Sequence, residues 1–354
     1  MTVATQSVDL VFEGGGVKGI GLAGSLSVLE EHGFHAENVA GTSAGAITAA
    51  LLAAGYRGDE LKEVVIDLDF RQFQDKAWED KVPLIERSLS LLLDLGIYEG
   101  ERFLEWIRER LAAKGIHTFG DLARAGESDP RWKYSLQVVA SDVTKHELLV
   151  LPRDAGRLGI EPDDLEVALA VRMSMSIPIF FEPVIFENPK TGESHVIVDG
   201  GMLSNFPIWL FDSDGVPDWP TFGLLLVEPK PKVPVAARLP KPEAIHKGPR
   251  GMIAYVKSMA QTMMEAHDRL YVESADFART IPIPTLGVGT TAFDLSAERK
   301  LALYDSGRWA AEGFLKTWDF DAYITAYRSG HEHTRRQSLV TAMAEQAGEQ
   351  AGAV

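Results

Sequence analysis

Twice within the first 55 residues an apolar run breaks at glycine and resumes with helical periodicity, a pattern that confines the chain to α/β folds built on parallel strands. Val8 to Phe12 is the first run. It ends at Gly14-Gly15-Gly16, after which Val17, Ile20, Leu22, Leu26 and Leu29 continue with near-helical spacing. Asn38-Val39-Ala40 is the second, followed by a turn over Gly41 to Gly45 and an apolar helix from Ala46 to Ala54 closed by Gly55. From about Leu61 to Leu111 the signals are mainly helical and read as an insert. Strand patterns return over 134–139, 146–151, 184–186, 196–198 and 222–227. Prolines and six basic residues mark 229–250 as a surface loop. A helix over 251–273, a Pro-rich edge segment over 281–284 and a helix over 296–317 are expected to follow, with a frayed end over 346–354.

Composition removes whole classes of function. A formal net charge of −16 opposes binding to nucleic acid, which depends on neutralising phosphates with Lys and Arg. The absence of cysteine rules out disulfides, thiolate zinc sites and cysteine nucleophiles. No stretch approaches the roughly 18 apolar residues of a membrane-spanning helix, and the start of the chain lacks the pattern of a secretory leader. The expected location is cytoplasmic, with any membrane contact peripheral.

Three short motifs carry chemistry. Gly41-Thr42-Ser43-Ala44-Gly45 has the G-x-S-x-G form of a nucleophile elbow, in which a sharp strand-to-helix turn exposes a serine hydroxyl. Such a turn also places Ser43 at the positive end of a helix, where developing negative charge is stabilised. Gly14-Gly15-Gly16-Val17-Lys18-Gly19 admits three readings: a phosphate cradle, a plain tight turn, or an oxyanion hole. The dinucleotide version wants an acidic residue ending the second strand, which here runs straight into the Ser43 turn. The oxyanion hole is favoured, with Lys18 adding positive charge. Asp199-Gly200-Gly201 follows the apolar run Val196-Ile197-Val198, so its carboxylate emerges at a strand end; read alone it could be a turn, and read with the other motifs it is a candidate base for Ser43. A Ser-Asp-His triad would draw on His246, His267, His331 or His333, none of them in a promising context.

With these motifs in this order, the chain resembles the patatin-like phospholipases, a family of lipid acyl hydrolases, over about residues 8 to 210. The resemblance implies a three-layer α/β/α fold with a mainly parallel central sheet and a helical insert near the active site. It implies a Ser-Asp dyad of Ser43 and Asp199, an oxyanion hole at Gly14, Gly15 and Gly16, and supporting roles for Lys18, Gly41, Gly45, Gly200 and Gly201. Ser174-Met175-Ser176-Ile177-Pro178, followed by Phe180 and Pro183, is similar to a further family block linked to the pocket, with serine replacing alanine at some positions. Asn205 and Pro207 match positions expected to hold the loop. The implied substrate is a phospholipid or other acyl lipid, with no cofactor and no metal.

The expected organisation is a catalytic core over 8–210, an extension over 211–330 packed on it as one body, and a polar, partly frayed tail over 331–354. Leu84 to Leu95 are expected to form an acyl-chain wall or lid. Lys230, Lys232, Arg238, Lys241, Lys247 and Arg250, opposed in that span only by Glu243, are expected to meet anionic membrane. Two rival functions stand beside this reading. One is a generic esterase or thioesterase with a Ser-Asp-His triad. The other is a catalytically silent lipid-binding module, against which the presence of both Ser43 and Asp199 argues.

Overall fold

The computed structural model describes residues 5–68, 100–178, 180–213, 215–228, 274–290 and 292–329. The expected lid over 84–95, the basic segment over 230–250, the helix over 251–273, the tail over 331–354 and the histidines at 246, 267, 331 and 333 lie outside the described residues.

The chain runs β1 (Gln6–Phe12), a 3-10 turn (Gly16–Gly19), α1 (Ile20–Glu31), β2 (Phe34–Thr42), α2 (Ala44–Ala53), α3 (Gly58–Asp67) and α4 (Glu101–Ala112). It continues through β3 (Leu136–Asp142), β4 (Glu147–Leu151), α5 (Val167–Ser174), β5 (Val184–Glu187), β6 (Ser194–Asp199) and β7 (Thr221–Val227). It closes with α6 (Ser274–Ala278), β8 (Thr280–Pro284), α7 (Ala297–Leu315) and α8 (Phe320–Tyr327). One sheet holds all eight strands in the order β5-β6-β3-β2-β1-β7-β8, with β4 also paired to β3. The pairings β1/β2, β1/β7, β2/β3 and β7/β8 are parallel, and those of β3 with β4 and β6 and of β5 with β6 are antiparallel. The expected α/β class with a mainly parallel sheet flanked by helices is what the structure shows.

Alternation along the strands divides the core. Val8, Leu10, Phe12, Val138, Phe222 and Leu224 join the helices in one large cluster, while Val11, Ala40, Val139 and Val150 face Phe206, Ile208, Leu210 and Phe211 on the opposite side. Helix α1 approaches α7 closely because small residues line the contact: a Cβ on Gly24 would lie 1.9 Å from the Tyr304 carbonyl oxygen, and Ser25 Oγ donates to Gly307 O at 2.8 Å.

Several elements depart from the expected bounds. Strand β2 begins at Phe34, well before Asn38, because the stretch Phe34-His35-Ala36 is held in register against Gln6, Ser7 and Val8. Strand β3 extends through Ala140-Ser141-Asp142, residues of weak strand propensity that are nonetheless paired on both edges. Helix α5 had no counterpart among the expected elements.

Candidate active site

Sheet register brings the two principal candidate residues together. Val138 pairs with Gly41 of β2 and Leu151 of β4, while Ala140 pairs with Asp199 of β6 and Leu149 of β4. Since β4 runs along one edge of β3 through both positions, β2 and β6 share the other edge and meet end to end. Thr42 opposes Val139 and Asp199 opposes Ala140, so the strand that ends in the Ser43 turn and the strand that ends in Asp199 converge on adjacent rungs.

Ser43 leaves β2 with φ 54° and ψ −126°, a conformation costly for a residue with a Cβ, and caps the N-terminus of α2. The sharp bend is possible only because its flanks carry no side chain: a Cβ on Gly41 would lie 2.3 Å from Gly45 O, and one on Gly45 would lie 2.3 Å from Phe12 O. The Ser43 N–H donates to Ser174 Oγ at 2.8 Å, and Ser174 Oγ donates in turn to Val139 O at 2.6 Å. The block read from sequence as pocket-forming therefore braces the elbow. It also holds the partner strand, since the Asp199 N–H donates to Ser176 O at 2.9 Å. Arg172 Nη1 donates to Ser176 Oγ at 2.6 Å and stiffens that segment from within the core.

Both Ser43 and Asp199 have 0% exposure. Asp199 Oδ1 accepts the Gly201 N–H at 2.7 Å, and Oδ2 has no hydrogen-bond partner among the described residues. Burial pushes this carboxyl up from 3.8 to about 7, opposed by the nearby Ser43 hydroxyl and the Gly201 N–H. The Ser43 hydroxyl thus lies within electrostatic reach of Asp199, while among the described residues its hydrogen-bond geometry is met toward Met175 Sδ, at 3.7 Å. A carboxylate tuned to the neutral range and missing one partner is suited to accept a proton.

The glycine loop closes over the same point. A Cβ on Gly14 would lie 3.0 Å from Ser43 Cβ, and one on Gly200 would lie 2.2 Å from Val139 O. Gly14 N–H donates to Asn205 O at 3.1 Å, and Asn205 Nδ2 donates to Gly14 O at 3.0 Å and Glu13 Oε1 at 3.2 Å, so Asn205 holds the loop as expected. The N–H groups of Gly15 and Gly16 have no acceptor among the described residues. Gly16 has φ +56°, and a Cβ there would strike Thr290 O at 2.1 Å. Lys18 is buried beneath the loop, its Cε 3.6 Å from the position of a Gly15 Cβ. Gly201 lies beside Asn205, whose Oδ1 would be 2.8 Å from a Cβ placed on it.

One histidine-carboxylate pair is present among the described residues, His195 Nδ1 and Asp142 Oδ2 at 2.6 Å. His195 stands four residues before Asp199 on β6, about 13 Å away at the rise of a strand. It is not a partner of Ser43.

The uncharacterized protein YqhO of Bacillus subtilis (strain 168) is 40% identical over 313 residues, spanning 88% of this chain and 99% of that protein. The neuropathy target esterase sws of Drosophila persimilis is 25% identical over 202 residues, which is 57% of this chain but 12% of the esterase. Among solved structures, VipD from Legionella pneumophila superposes with a TM-score of 0.49 at 21% identity, covering 88% of this chain and 67% of VipD. The family description "Patatin-like phospholipase" matches residues 10–212, more than half of the chain, and the protein belongs to that family.

Proposed function

We propose that the protein is a lipid acyl hydrolase in which Ser43 is the nucleophile and Asp199 its base. The observation that carries this reading is the unpartnered, buried Asp199 Oδ2 at the junction where β2 and β6 meet beside Ser43. On this reading Ser43 Oγ attacks the carbonyl carbon of a fatty acyl ester while its proton passes to Asp199. The Gly15 and Gly16 N–H groups receive the negative charge that forms on the carbonyl oxygen, helped by the N-terminus of α2 and the charge of Lys18. Collapse of the intermediate breaks the ester C–O bond and the proton moves from Asp199 to the departing alcohol. A water molecule then attacks the acyl-serine, giving up a proton to Asp199, and the fatty acid leaves as Ser43 regains it.

Phospholipid as substrate, independence of calcium and contact of residues 230–250 with anionic head groups belong to the same proposal. The protein would be incubated with a mixed lipid extract, with and without a calcium chelator, and the released acyl products identified by mass. Fatty acid release by the parent in chelator and none by Ser43→Ala is the expected result. Release by Ser43→Ala equal to the parent's would sink the assignment. Salt-sensitive sedimentation with anionic vesicles tests the membrane contact, and sedimentation unaffected by removing the basic residues of 230–250 would eliminate it. The rival triad has no support in the described region, where the buried His195–Asp142 pair stands away from Ser43.

A further inference from the structure

We infer that Met175 is a gate on the nucleophile: its thioether occupies the space before Ser43 Oγ that an acyl group must enter, so its displacement sets which acyl chains react. This rests on the reading of Ser43 as nucleophile. Three observations carry it. The Ser43 hydroxyl is fully buried, and the one side-chain contact among the described residues that satisfies hydrogen-bond geometry is Met175 Sδ at 3.7 Å, a weak acceptor. Asp199 Oδ2, the stronger acceptor, meets no hydrogen-bond partner among the described residues, although the Ser43 hydroxyl is near enough to oppose the upward shift of that carboxyl, so the thioether is the closer neighbour of Oγ within hydrogen-bond geometry. Met175 itself is 1% exposed and ends helix α5, between Ser174, which holds the Ser43 N–H, and Ser176, which holds the Asp199 N–H.

The two serines are tied into the backbone on either side of the reaction centre, whereas the side chain between them is an unbranched thioether with three rotatable bonds. That division suits a moving part on a rigid mount. A rotation of Met175 opens room in front of Oγ without disturbing either brace, and it frees the hydroxyl to turn toward Asp199 Oδ2. Small electrophiles need little of this space; a long acyl chain needs more of it.

The test measures the rate of covalent labelling of Ser43 by two fluorophosphonates with the same reactive group, one carrying an ethyl chain and the other a dodecyl chain. In labelling, Ser43 Oγ bonds to phosphorus, fluoride leaves and the proton passes to Asp199. Met175→Ala is expected to raise the long-chain to short-chain rate ratio roughly tenfold over the parent. Met175→Leu, of similar volume but stiffer, is expected to lower the long-chain rate, and it decides the matter should the alanine variant fail to fold. An unchanged ratio in folded Met175→Ala, or both rates falling by one factor, would overturn the gate while leaving the nucleophile intact, as would a long-chain rate in Met175→Leu equal to the parent's. Absence of any label at Ser43 in the parent would instead overturn the underlying reading.

Discussion

Two buried carboxylate regions of the molecule are built on opposite plans. At Asp199 one oxygen accepts a single backbone N–H and the other has no hydrogen-bond partner among the described residues. At the far region Arg279 Nη2 lies 2.6 Å from Asp212 Oδ1 and 2.6 Å from Asp276 Oδ1, tying the segment after Phe211 to α6 and β8. Arg328, at the end of α8, adds hydrogen bonds of 2.7 Å to Ser213 O and 2.7 Å to Gly215 O. The same residue type, largely removed from water in both places, anchors in one and in the other carries the proposed proton transfer. The difference is whether a cation was buried with it.

The largest expected effect tests the unpaired side. Ser43→Ala and Asp199→Asn should each lower fatty acid release by about a thousandfold or more, and the double variant should be no worse than either single one, because the two act as one unit. Circular dichroism should show the fold retained. An Asp199→Asn variant with near-normal turnover would end the comparison, since the orphaned oxygen would then have no use.

On the paired side, Arg279→Ala removes the cation that two carboxylates share and should destabilise the protein by about 3–5 kcal/mol. The urea midpoint should fall while activity per folded molecule stays near that of the parent. A midpoint shift below about 1 kcal/mol would mean that water reaches the cluster and that the two regions differ less than their geometry suggests.

A smaller effect of opposite sign is expected at Asp199. Its folded-state value of about 7 lies above the ordinary 3.8, so the native state binds the proton more tightly than the unfolded chain does. Stability from this group is therefore lost as pH rises from about 4 to about 7, and the loss persists above that range. Asp199→Asn removes the titration and should be more stable than the parent at pH 8 by about 1–3 kcal/mol, with the gain disappearing near pH 4. In the parent, kcat/KM should rise with pH up to about 7 and then level off, as expected for a base that must be ionised. Equal melting temperatures of parent and variant at pH 8 would count against a desolvated carboxylate.

The smallest effect provides the exposed control. Arg157 Nη1 and Glu147 Oε2 are 2.8 Å apart, close to the spacing at Arg279, but their side chains are 52% and 50% exposed. Arg157→Gln should change stability by less than about 0.5 kcal/mol in the same urea titration. A loss approaching that of Arg279→Ala would show that contact distance, and not burial, sets the strength of these pairs.

Much of the fold was legible where the pattern is local. The elbow at Ser43, the glycine loop, the strand into Asp199 and helix α7 each announce themselves within a dozen residues, because apolar period and glycine placement are set by immediate neighbours. What was not legible depends on distant partners. Nothing within Ala140-Ser141-Asp142 says strand; β4 and β6 impose it from either side. The direction of β6 against β3 is likewise a tertiary outcome. Ser174 could be noted as part of a motif, but its function as the acceptor of the Ser43 N–H needs a contact across 131 positions of sequence.

The end-to-end meeting of β2 and β6 on one edge of β3 makes strand β3 a ruler for the proposed reaction. Distances along a ladder come in whole rungs of about 3.3 Å, and a slip of one rung turns every side chain to the other face. The gap between Ser43 and Asp199 is accordingly quantised: it can be right, or wrong by a full step, with nothing between. A one-residue insertion within β6 would misplace Asp199 altogether, whereas insertions in the loop joining β5 to β6 leave the ruler untouched. Alignment of the pair is thereby uncoupled from the loops around it, which are free to vary in length and composition as substrates change.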